Sequence, residues 1–227
     1  MSNIYENGSY LKSNPTWHEE NSSFKAIWIS AMLKKHNIVP EKICEVGCGA
    51  GGIIECISKE FIYAECFGYD ISPQAIEIAQ KKQNDNLHFS NSDLLQETKS
   101  FNCILCMDVF EHIEDYFNFL RNLKTKAKHF IFHIPLDMNV QKIIRSGRLL
   151  KDRIDVGHIH YFNKETALAT LKDCGYSVID FCYTDNADLP NNKAPKIINS
   201  IRKFLFRFWK DKVVVVGGGY SLLVLAE

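Results

Sequence analysis

A glycine-rich segment at residues 45–52, EVGCGAGG, has the composition of a loop that binds a ligand. It follows an apolar run and precedes a stretch with helical spacing, which is the context in which such a loop is meaningful. Glycine allows the backbone to turn tightly and a ligand to approach closely. Asp70 ends the next strand-like run, at the position where a carboxylate can accept both hydroxyls of a ribose. Together these residues predict a cofactor that contains adenosine.

Glu45 helps to distinguish the two adenosine cofactors that fit such a site, NAD and S-adenosylmethionine. A dinucleotide places its pyrophosphate near the start of the helix, where a neighbouring carboxylate opposes the binding of an anion. A cationic sulfonium with an amino-acid end tolerates that carboxylate. Asp93 and Leu94 follow a later strand-like run and can offer adenine a hydrogen-bond acceptor and an apolar contact. These residues favour S-adenosylmethionine.

The elements that must position these residues alternate between strand-like and helix-like segments. The predicted strands span residues 42–47, 64–70, 87–90, 101–108, 128–135, 176–184, 212–216 and 220–226, the last two as a terminal hairpin. The predicted helices span residues 51–61, 72–84, 163–175 and 196–209, and a further helix begins at Asp115. This alternation predicts an α/β fold in which parallel strands carry helices on both faces of the sheet. Ligands of such sheets bind beyond the carboxyl ends of the strands.

Several motifs in combination resemble the class I S-adenosylmethionine-dependent methyltransferases. They are EVGCGAG at 45–51, the strand that ends in Asp70, SDL at 92–94 and CILCMDVFEHI at 103–113. GHIHYF at 157–162 is similar to the small-molecule, ubiquinone-biosynthesis-like subgroup. The resemblance implies a Rossmann-like, doubly wound sheet of seven strands, mostly parallel with an antiparallel C-terminal strand.

The resemblance also implies a set of cofactor contacts. Glu45, Gly47, Gly49 and Gly51 would surround the methionine part, Asp70 would bind the ribose, Ile71, Asp93 and Leu94 would contact adenine, and Met107 and Asp108 would lie beside the methyl donor.

Methyl transfer from a sulfonium to a hydroxyl needs the reactants in line, water excluded and a general base, which is most often histidine. The candidates for this base are His158 first, then His160 and His133, with His112 expected to brace a loop. His158 and His160 have the same parity before a helix cap, so we expect them to point the same way. Each of these histidines could instead serve as a hydrogen-bonded structural residue.

Residues 1–40 are predicted to form an N-terminal lid and a helix. Tyr10, Trp17 and His18 are candidate substrate contacts, because this segment covers the cofactor in the resembled group. Plain packing is the alternative for all three. Tyr161, in the GHIHYF segment, is a further candidate substrate contact.

Two basic, apolar segments remain. Residues 136–162 are predicted to be a substrate-covering insertion, and its Arg145 and Arg148 suggest an anionic acceptor. The helix at 196–209 is basic and amphipathic, so it either packs on the sheet or a second subunit, or lies on an anionic membrane. The protein is accordingly expected to be a monomer or a homodimer.

The amino-acid composition argues against some classes of function. The chain has 227 residues, with 46% hydrophobic and 24% charged residues, and 27 Lys plus Arg balance 27 Asp plus Glu. This balance argues against general nucleic-acid binding, which needs surplus basic residues.

The sequence starts without a signal pattern and has no run of about 20 apolar residues, so we expect a cytoplasmic protein. Most of the eight cysteines lie in apolar runs without paired metal-ligand spacing, which predicts free thiols and no metal site.

We expect one methyltransferase domain over residues 1–227, with a cofactor-binding core at 41–135 and a C-terminal half at 163–227. The acceptor is expected to be a small molecule. Two readings compete with this one. A nicotinamide-dependent reductase of the short-chain type would need a Tyr-x-x-x-Lys pair, which the sequence lacks. A non-catalytic module that binds the cofactor remains compatible with the sequence.

Overall fold

The computed structural model describes residues 16–17, 19–190 and 196–227, and within these residues seven strands form one sheet. The strands are β1 Lys42–Val46, β2 Glu65–Tyr69, β3 Leu87–Ser90, β4 Phe101–Met107, β5 Ala127–Pro135, β6 Val178–Asp185 and β7 Tyr220–Ala226. Their order across the sheet is β3-β2-β1-β4-β5-β7-β6. Strands β1 to β5 are parallel, and β7 is antiparallel to both of its neighbours.

Helices connect these strands. They are α1 Ser22–Lys35, α2 Gly52–Glu60, α3 Pro73–Ala79, α4 Tyr116–Lys124, α5 Val140–Ile144, α6 Arg148–Asp155, α7 Lys164–Asp173, α8 Lys196–Phe206 and α9 Lys210–Gly217. Two of the predicted helix starts are confirmed by their caps. The Ser72 hydroxyl accepts a hydrogen bond from the Ala75 N–H, with Pro73 as the first helical residue, and Asn163 forms a capping box with Thr166.

The central strands are buried on both faces, as a parallel sheet covered by helices requires. One apolar cluster contains Phe110, Phe130 and Phe132, and a second contains Ile29, Ile54 and Ile131. Because adjacent residues of a strand point to opposite faces, Phe130 and Ile131 lie in different clusters. The predicted α/β fold, with seven strands and an antiparallel C-terminal strand, is confirmed.

The predicted strand at 212–216 is wrong, and with it the terminal hairpin. These residues belong to helix α9, although four successive valines favour a strand locally. Both edges of β7 are already occupied, since Val224 pairs with Phe132 of β5 and with Phe181 of β6. The valine run therefore has no free edge of β7 to join, and Val214 instead packs into the core at 3% exposure.

All eight cysteines are free thiols, and most are buried, as predicted. Among the described residues, none of the helices is both long enough and apolar enough to cross a bilayer.

Candidate active site

A cleft of about 1100 Å³ lies at the carboxyl edge of the parallel strands. The residues that line it include Gly47 after β1, Asp70 after β2, Asp108 after β4 and Asp137 after β5. The topology brings these positions together because parallel strands end at the same edge of the sheet. The cleft is thus assembled from the strand ends that the sequence singled out.

The glycine loop forms one wall of the cleft. Gly47, Gly49 and Gly51 all adopt positive φ angles, of 66°, 54° and 81°. A Cβ atom on Gly47 would lie 2.8 Å from a methyl group of Val109, so this close approach requires glycine. The loop turns tightly and presents its backbone to the cleft.

Asp70 is fixed by the same loop. One carboxylate oxygen accepts a hydrogen bond from the Gly49 N–H at 2.8 Å, and the other accepts one from the Ser72 N–H at 2.8 Å. Burial raises the pKa of Asp70, and the two backbone donors partly offset that increase. The carboxylate is therefore held in one orientation at the edge of the cleft.

Glu45 is a buried acid that lines the cleft, with 1% of its surface exposed. One carboxylate oxygen accepts a hydrogen bond from the Ile54 N–H in the first turn of α2, at 3.1 Å. Burial raises the pKa of Glu45 to about 8, although the charge of Lys25 acts in the opposite direction. A cation bound beside Glu45 would favour its ionised form, so this wall suits the positively charged end of an amino acid.

The residues predicted to contact adenine also border the cleft. Ile71 is 47% exposed and offers an apolar side chain to a ligand, whereas Leu94 is 1% exposed and supports the wall from behind. Asp93 caps a short 3₁₀ turn by accepting a hydrogen bond from the Leu95 N–H at 2.9 Å. Met107 closes the floor at the end of β4.

Asp108 is the centre of a hydrogen-bonded network that crosses the cleft floor. It adopts a positive φ of 58°, an uncommon conformation for a residue other than glycine. Its two carboxylate oxygens bind Lys25 Nζ at 2.5 Å and His133 Nδ1 at 2.6 Å. Although burial opposes ionisation, His133 and Lys25 hold the pKa of Asp108 well below its usual range. His133 Nε2 contacts Thr184 Oγ1 at 2.9 Å, so both ring nitrogens are engaged.

His158 has a different arrangement. Its Nδ1 lies 2.5 Å from the Asp137 carboxylate, which also binds Lys142 Nζ at 2.5 Å. Burial opposes ionisation of Asp137, but His158 and Lys142 lower its pKa, so it is an acceptor. When the Nδ1–H of a neutral His158 ring donates to Asp137, the lone pair of the ring lies on Nε2. Because His158 lines the cleft, this arrangement suits a general base.

Glu111 and His112 lie next to His158. The His112 Nδ1–H donates to the Gly157 carbonyl at 3.0 Å, and burial, together with the charge that His158 carries when it is protonated, lowers the His112 pKa to about 4. Glu111 is 1% exposed, and neither of its carboxylate oxygens has a hydrogen-bond partner within the described part of the chain. Burial raises its pKa well above the usual range. One donor atom from each of Glu111, His112 and His158 lies within 4.8 Å of the others, so the three residues could hold a metal ion.

Other candidates named from the sequence lie away from the cleft. His160 Nε2 bonds the Ile113 carbonyl at 2.9 Å, and the Tyr161 hydroxyl donates to the Leu149 carbonyl at 3.0 Å. Neither residue lines the cleft, and neither does Arg145 or Arg148. The expected common direction of His158 and His160 is wrong, because the segment is not a strand. The N–H groups of residues 159 and 160 both donate to the Glu111 carbonyl.

The N-terminal candidates have mixed outcomes. Trp17 lines the cleft beside the glycine loop, where its ring would lie 3.5 Å from a Cβ on Gly49. Tyr10 and His18 lie outside the described residues.

Sequence reasoning missed several residues that the structure brings to the site: Lys25, Glu111, Asp137, Thr184 and Arg153. A signal existed for Asp137, which follows β5 closely at the carboxyl edge, and for Glu111, which stands in the motif after β4. Nothing in the local sequence distinguishes Lys25 from the other lysines of α1, because its role depends on a partner 83 residues away.

Comparisons with known proteins bear on this site. The sequence matches a family model described as a methyltransferase domain over residues 17–180. It is 26% identical over 148 residues to the ubiquinone biosynthesis O-methyltransferase of Actinobacillus pleuropneumoniae serotype 5b (strain L20). The alignment covers 56% of this chain and 62% of that protein. The chain thus spans less than two thirds of the length of this relative.

Solved structures share the fold. Magnesium protoporphyrin IX methyltransferase from Synechocystis PCC 6803, with bound SAH, aligns with a TM-score of 0.58 at 17% identity, over 90% of this chain and 82% of that one. A chain complexed with the Trm112 methyltransferase activator of Haloferax volcanii aligns with a TM-score of 0.65 at 14% identity, over 97% of this chain and 94% of that one. At these identities the likeness establishes the fold alone.

Proposed function

The chain belongs to the class I S-adenosylmethionine-dependent methyltransferases, and from this premise we propose that it transfers a methyl group to an oxygen or nitrogen of a small, anionic metabolite or sugar. Family membership confirms the cofactor predicted from the glycine loop, Glu45 and Asp70. The observation that supports the rest of the proposal is the contact of His158 Nδ1 with the Asp137 carboxylate at the wall of the cleft, since Nε2 of a neutral ring held in this way would be available as a base.

The walls of the cleft fit the cofactor. The buried Glu45 carboxylate and the glycine loop would hold the charged methionine end, and Asp70 would accept hydrogen bonds from the ribose. Ile71, Asp93 and Leu94 would contact adenine. When bound, S-adenosylmethionine supplies a methyl group on a sulfonium that is already activated for transfer. The protein therefore has to align the acceptor, exclude water and accept a proton.

His158 is proposed to accept that proton. The acceptor hydroxyl would give its proton to His158 Nε2 as its oxygen forms the new bond to the methyl carbon, while the bond from that carbon to sulfur breaks and S-adenosylhomocysteine leaves with the electron pair. The resulting imidazolium would be stabilised by the ionised Asp137 carboxylate, which also keeps the ring in the required tautomer. His133 is less suited to this role, because Asp108 and Thr184 occupy both of its ring nitrogens. The name of the Actinobacillus relative, an O-methyltransferase, also favours an oxygen acceptor.

Arg153 supports an anionic acceptor. It lines the cleft from α6, and within the described residues no carboxylate forms an ion pair with it. Lys142 also lines the cleft, but Asp137 and Asp152 neutralise it. Arg145 and Arg148, which the sequence suggested, do not border the cleft. Arg153 is thus the cation best placed to attract a phosphate or carboxylate of the acceptor.

Two measurements test the proposal. Calorimetry with S-adenosylmethionine and with NADH should show binding of the first only. Product formation should then be followed by the release of S-adenosylhomocysteine from panels of hydroxylated and aminated small anions. His158→Asn should retain cofactor binding and lose turnover, whereas His160→Asn, outside the cleft, should retain both. Cofactor binding without turnover on any acceptor would instead support a non-catalytic binding module.

The three-residue cluster supports a second role. A buried carboxylate without a hydrogen-bond partner is costly unless a cation compensates it, and Glu111 lies beside two imidazoles that can offer ring nitrogens. A divalent cation held there would lower the pKa of an acceptor hydroxyl and reduce the need for a base. Loss of activity after treatment with EDTA, recovery with Mg²⁺, Mn²⁺ or Zn²⁺, and loss of cation binding in Glu111→Gln would favour this role. Turnover that is unaffected by EDTA would favour the His158 base alone.

A further inference from the structure

Helix α8 and the turn that follows it present an apolar face to solvent. Ile201, Phe204, Phe208 and Trp209 form this face, which we call the α8 face, and they are 55%, 64%, 60% and 55% exposed. Ile201, Phe204 and Phe208 follow the i, i+3, i+7 spacing of one side of a helix. The helical turn continues to residue 209, because the N–H groups of residues 207–209 bond the carbonyls of residues 204 and 205.

The α8 face is not what attaches these helices to the protein. On the other side, the Phe206 ring stacks on Tyr220 of β7 at 5.1 Å, and Val214 of α9 is buried in the core. Arg202 forms an ion pair with Asp185 and donates to the Gly218 carbonyl at 3.1 Å. The helices are therefore anchored through residues separate from the α8 face, and the four large apolar side chains remain available.

Exposed cations lie within and just after the α8 face in the sequence, and one of them, Lys210, has its Nζ over the Phe206 ring at 6.0 Å. Arg207, Lys210 and Lys212 are exposed, and no ion pair compensates any of them within the described residues. The acid in this stretch, Asp211, is engaged by Lys164 at 2.9 Å and by the Tyr183 hydroxyl at 2.6 Å. The local charge is accordingly positive, although the whole chain is neutral.

The positive charge near the α8 face distinguishes between two possible binding partners, a second copy of the chain and an anionic membrane. A symmetric dimer through this face would bring the cationic stretch of one copy against that of the other, because a two-fold interface pairs a patch with its own copy. An anionic lipid surface instead attracts these cations while its acyl boundary accepts the aromatic side chains. Tryptophan at such a boundary keeps its ring at the level of the headgroups. We propose that the α8 face docks the protein on the surface of a bilayer that contains anionic lipids.

Sedimentation with lipid vesicles tests this docking on the full chain. The protein should bind vesicles of phosphatidylglycerol and phosphatidylcholine, and should bind pure phosphatidylcholine vesicles at least about tenfold more weakly. The double variant Lys210→Glu/Lys212→Glu and the double variant Phe204→Ser/Phe208→Ser should each lower the partition coefficient at least about tenfold. Trp209 fluorescence should shift to shorter wavelength on binding, and Trp209→Phe should remove most of that shift.

Matched controls remove charge or apolar surface elsewhere. Lys81→Glu/Lys128→Glu changes two other exposed lysines, and Tyr63→Ser removes a side chain that is 94% exposed on the turn before β2. Both should bind vesicles like the unmodified protein. Circular dichroism melting of every variant shows whether a loss of binding reflects unfolding. Equal binding of all variants, equal binding to neutral vesicles, or a concentration-dependent dimer that Phe208→Ser dissociates would overturn the proposal.

Discussion

Lys25 Nζ and an Asp108 carboxylate oxygen lie 2.5 Å apart and join the first described α-helix to the end of β4, across 83 residues of sequence. Asp108 also contacts His133 of β5. This one carboxylate therefore links α1 to β5 through Lys25 and His133. The Lys25–Asp108 pair links helix α1, which lines the cleft, to the cleft floor.

A double-mutant cycle on Lys25→Met and Asp108→Asn should show this link as a coupling free energy of about 1–2 kcal/mol. Each single variant leaves a largely buried partner without its counterpart, so each should lower the free energy of unfolding. The double variant should be more stable than the sum of the two losses predicts. Urea unfolding measures all four proteins, and additive losses would mean that the two groups do not interact.

Glu45 should make stability depend on pH. Its folded-state pKa of about 8 lies above the ordinary value of 4.5, so between these values the folded protein holds more protons than the unfolded chain. The free energy of unfolding contributed by Glu45 therefore falls as pH rises through this window, by at most about 1.4 kcal/mol per pH unit. Glu45→Gln should flatten the curve of melting temperature against pH between pH 5 and about 8. Glu77→Gln, at an exposed site, should leave the curve unchanged.

Asp137 should act on turnover through His158. Asp137→Asn replaces the acceptor of the Nδ1–H bond and permits the wrong tautomer of the ring, so kcat should fall on the order of 10²–10⁴-fold while the KM for the cofactor changes little. His158→Asn should lower kcat similarly, and the double variant should lose little more, because the two residues act as one unit. A fall in cofactor affinity equal to the fall in kcat would argue that Asp137 supports the cleft rather than the base.

Alanine variants of two glycines can distinguish the effect of backbone strain on stability from an effect on ligand binding. Gly49 and Gly147 have positive φ angles of 54° and 74°, so alanine at either position costs about 1 kcal/mol of stability. A Cβ at Gly147 meets nothing within 4 Å, whereas one at Gly49 projects between the loop and Trp17. Gly49→Ala should weaken S-adenosylmethionine binding by more than its loss of stability explains, and Gly147→Ala should not change binding. Calorimetry and thermal melting of both variants provide the comparison.

Arg153 and Arg148 offer a matched pair on one helix. Arg153→Gln should raise the KM for an anionic acceptor about tenfold, as expected for loss of a charge-assisted hydrogen bond. Arg148→Gln, outside the cleft, should leave that KM unchanged. Steady-state kinetics at two salt concentrations should show that the effect at Arg153 shrinks as salt screens the charge. Equal effects of the two substitutions on this KM would indicate a long-range electrostatic effect rather than a direct contact of Arg153 with the acceptor.

Local patterns were enough to predict the residues that follow the strands. Gly47, Asp70 and Asp108 each come directly after a buried apolar run, and a parallel sheet places all such positions at one edge. The caps at Ser72 and Asn163 are equally local, since each side chain bonds a backbone N–H three residues ahead. Both kinds of inference hold because the interaction and its sequence signal lie within the same few residues.

Other features depend on contacts that no local pattern encodes. The valines at 213–216 favour a strand, but β5 and β6 occupy both edges of β7, the strand with which the valines were expected to pair. The alternation of His158 and His160 implies a common direction only if the backbone is extended, and here it turns around the Glu111 carbonyl. Arg153 was one of several arginines in a basic segment, and only the path of α6 sets it beside the cleft.

The position of β7 between β5 and β6 has a consequence for synthesis on the ribosome. Strand β6 pairs with β7 and with no other strand of the described sheet, so it has no partner until residues 220–226 have left the exit tunnel. Strands β1 to β5, which carry the glycine loop and Asp70, pair with one another and can assemble earlier. A nascent chain stalled before Tyr220 would therefore expose the edges of β5 and β6, which are open to pairing with other chains. The half that carries the glycine loop and Asp70 can form during translation, whereas closure of the sheet must wait for β7.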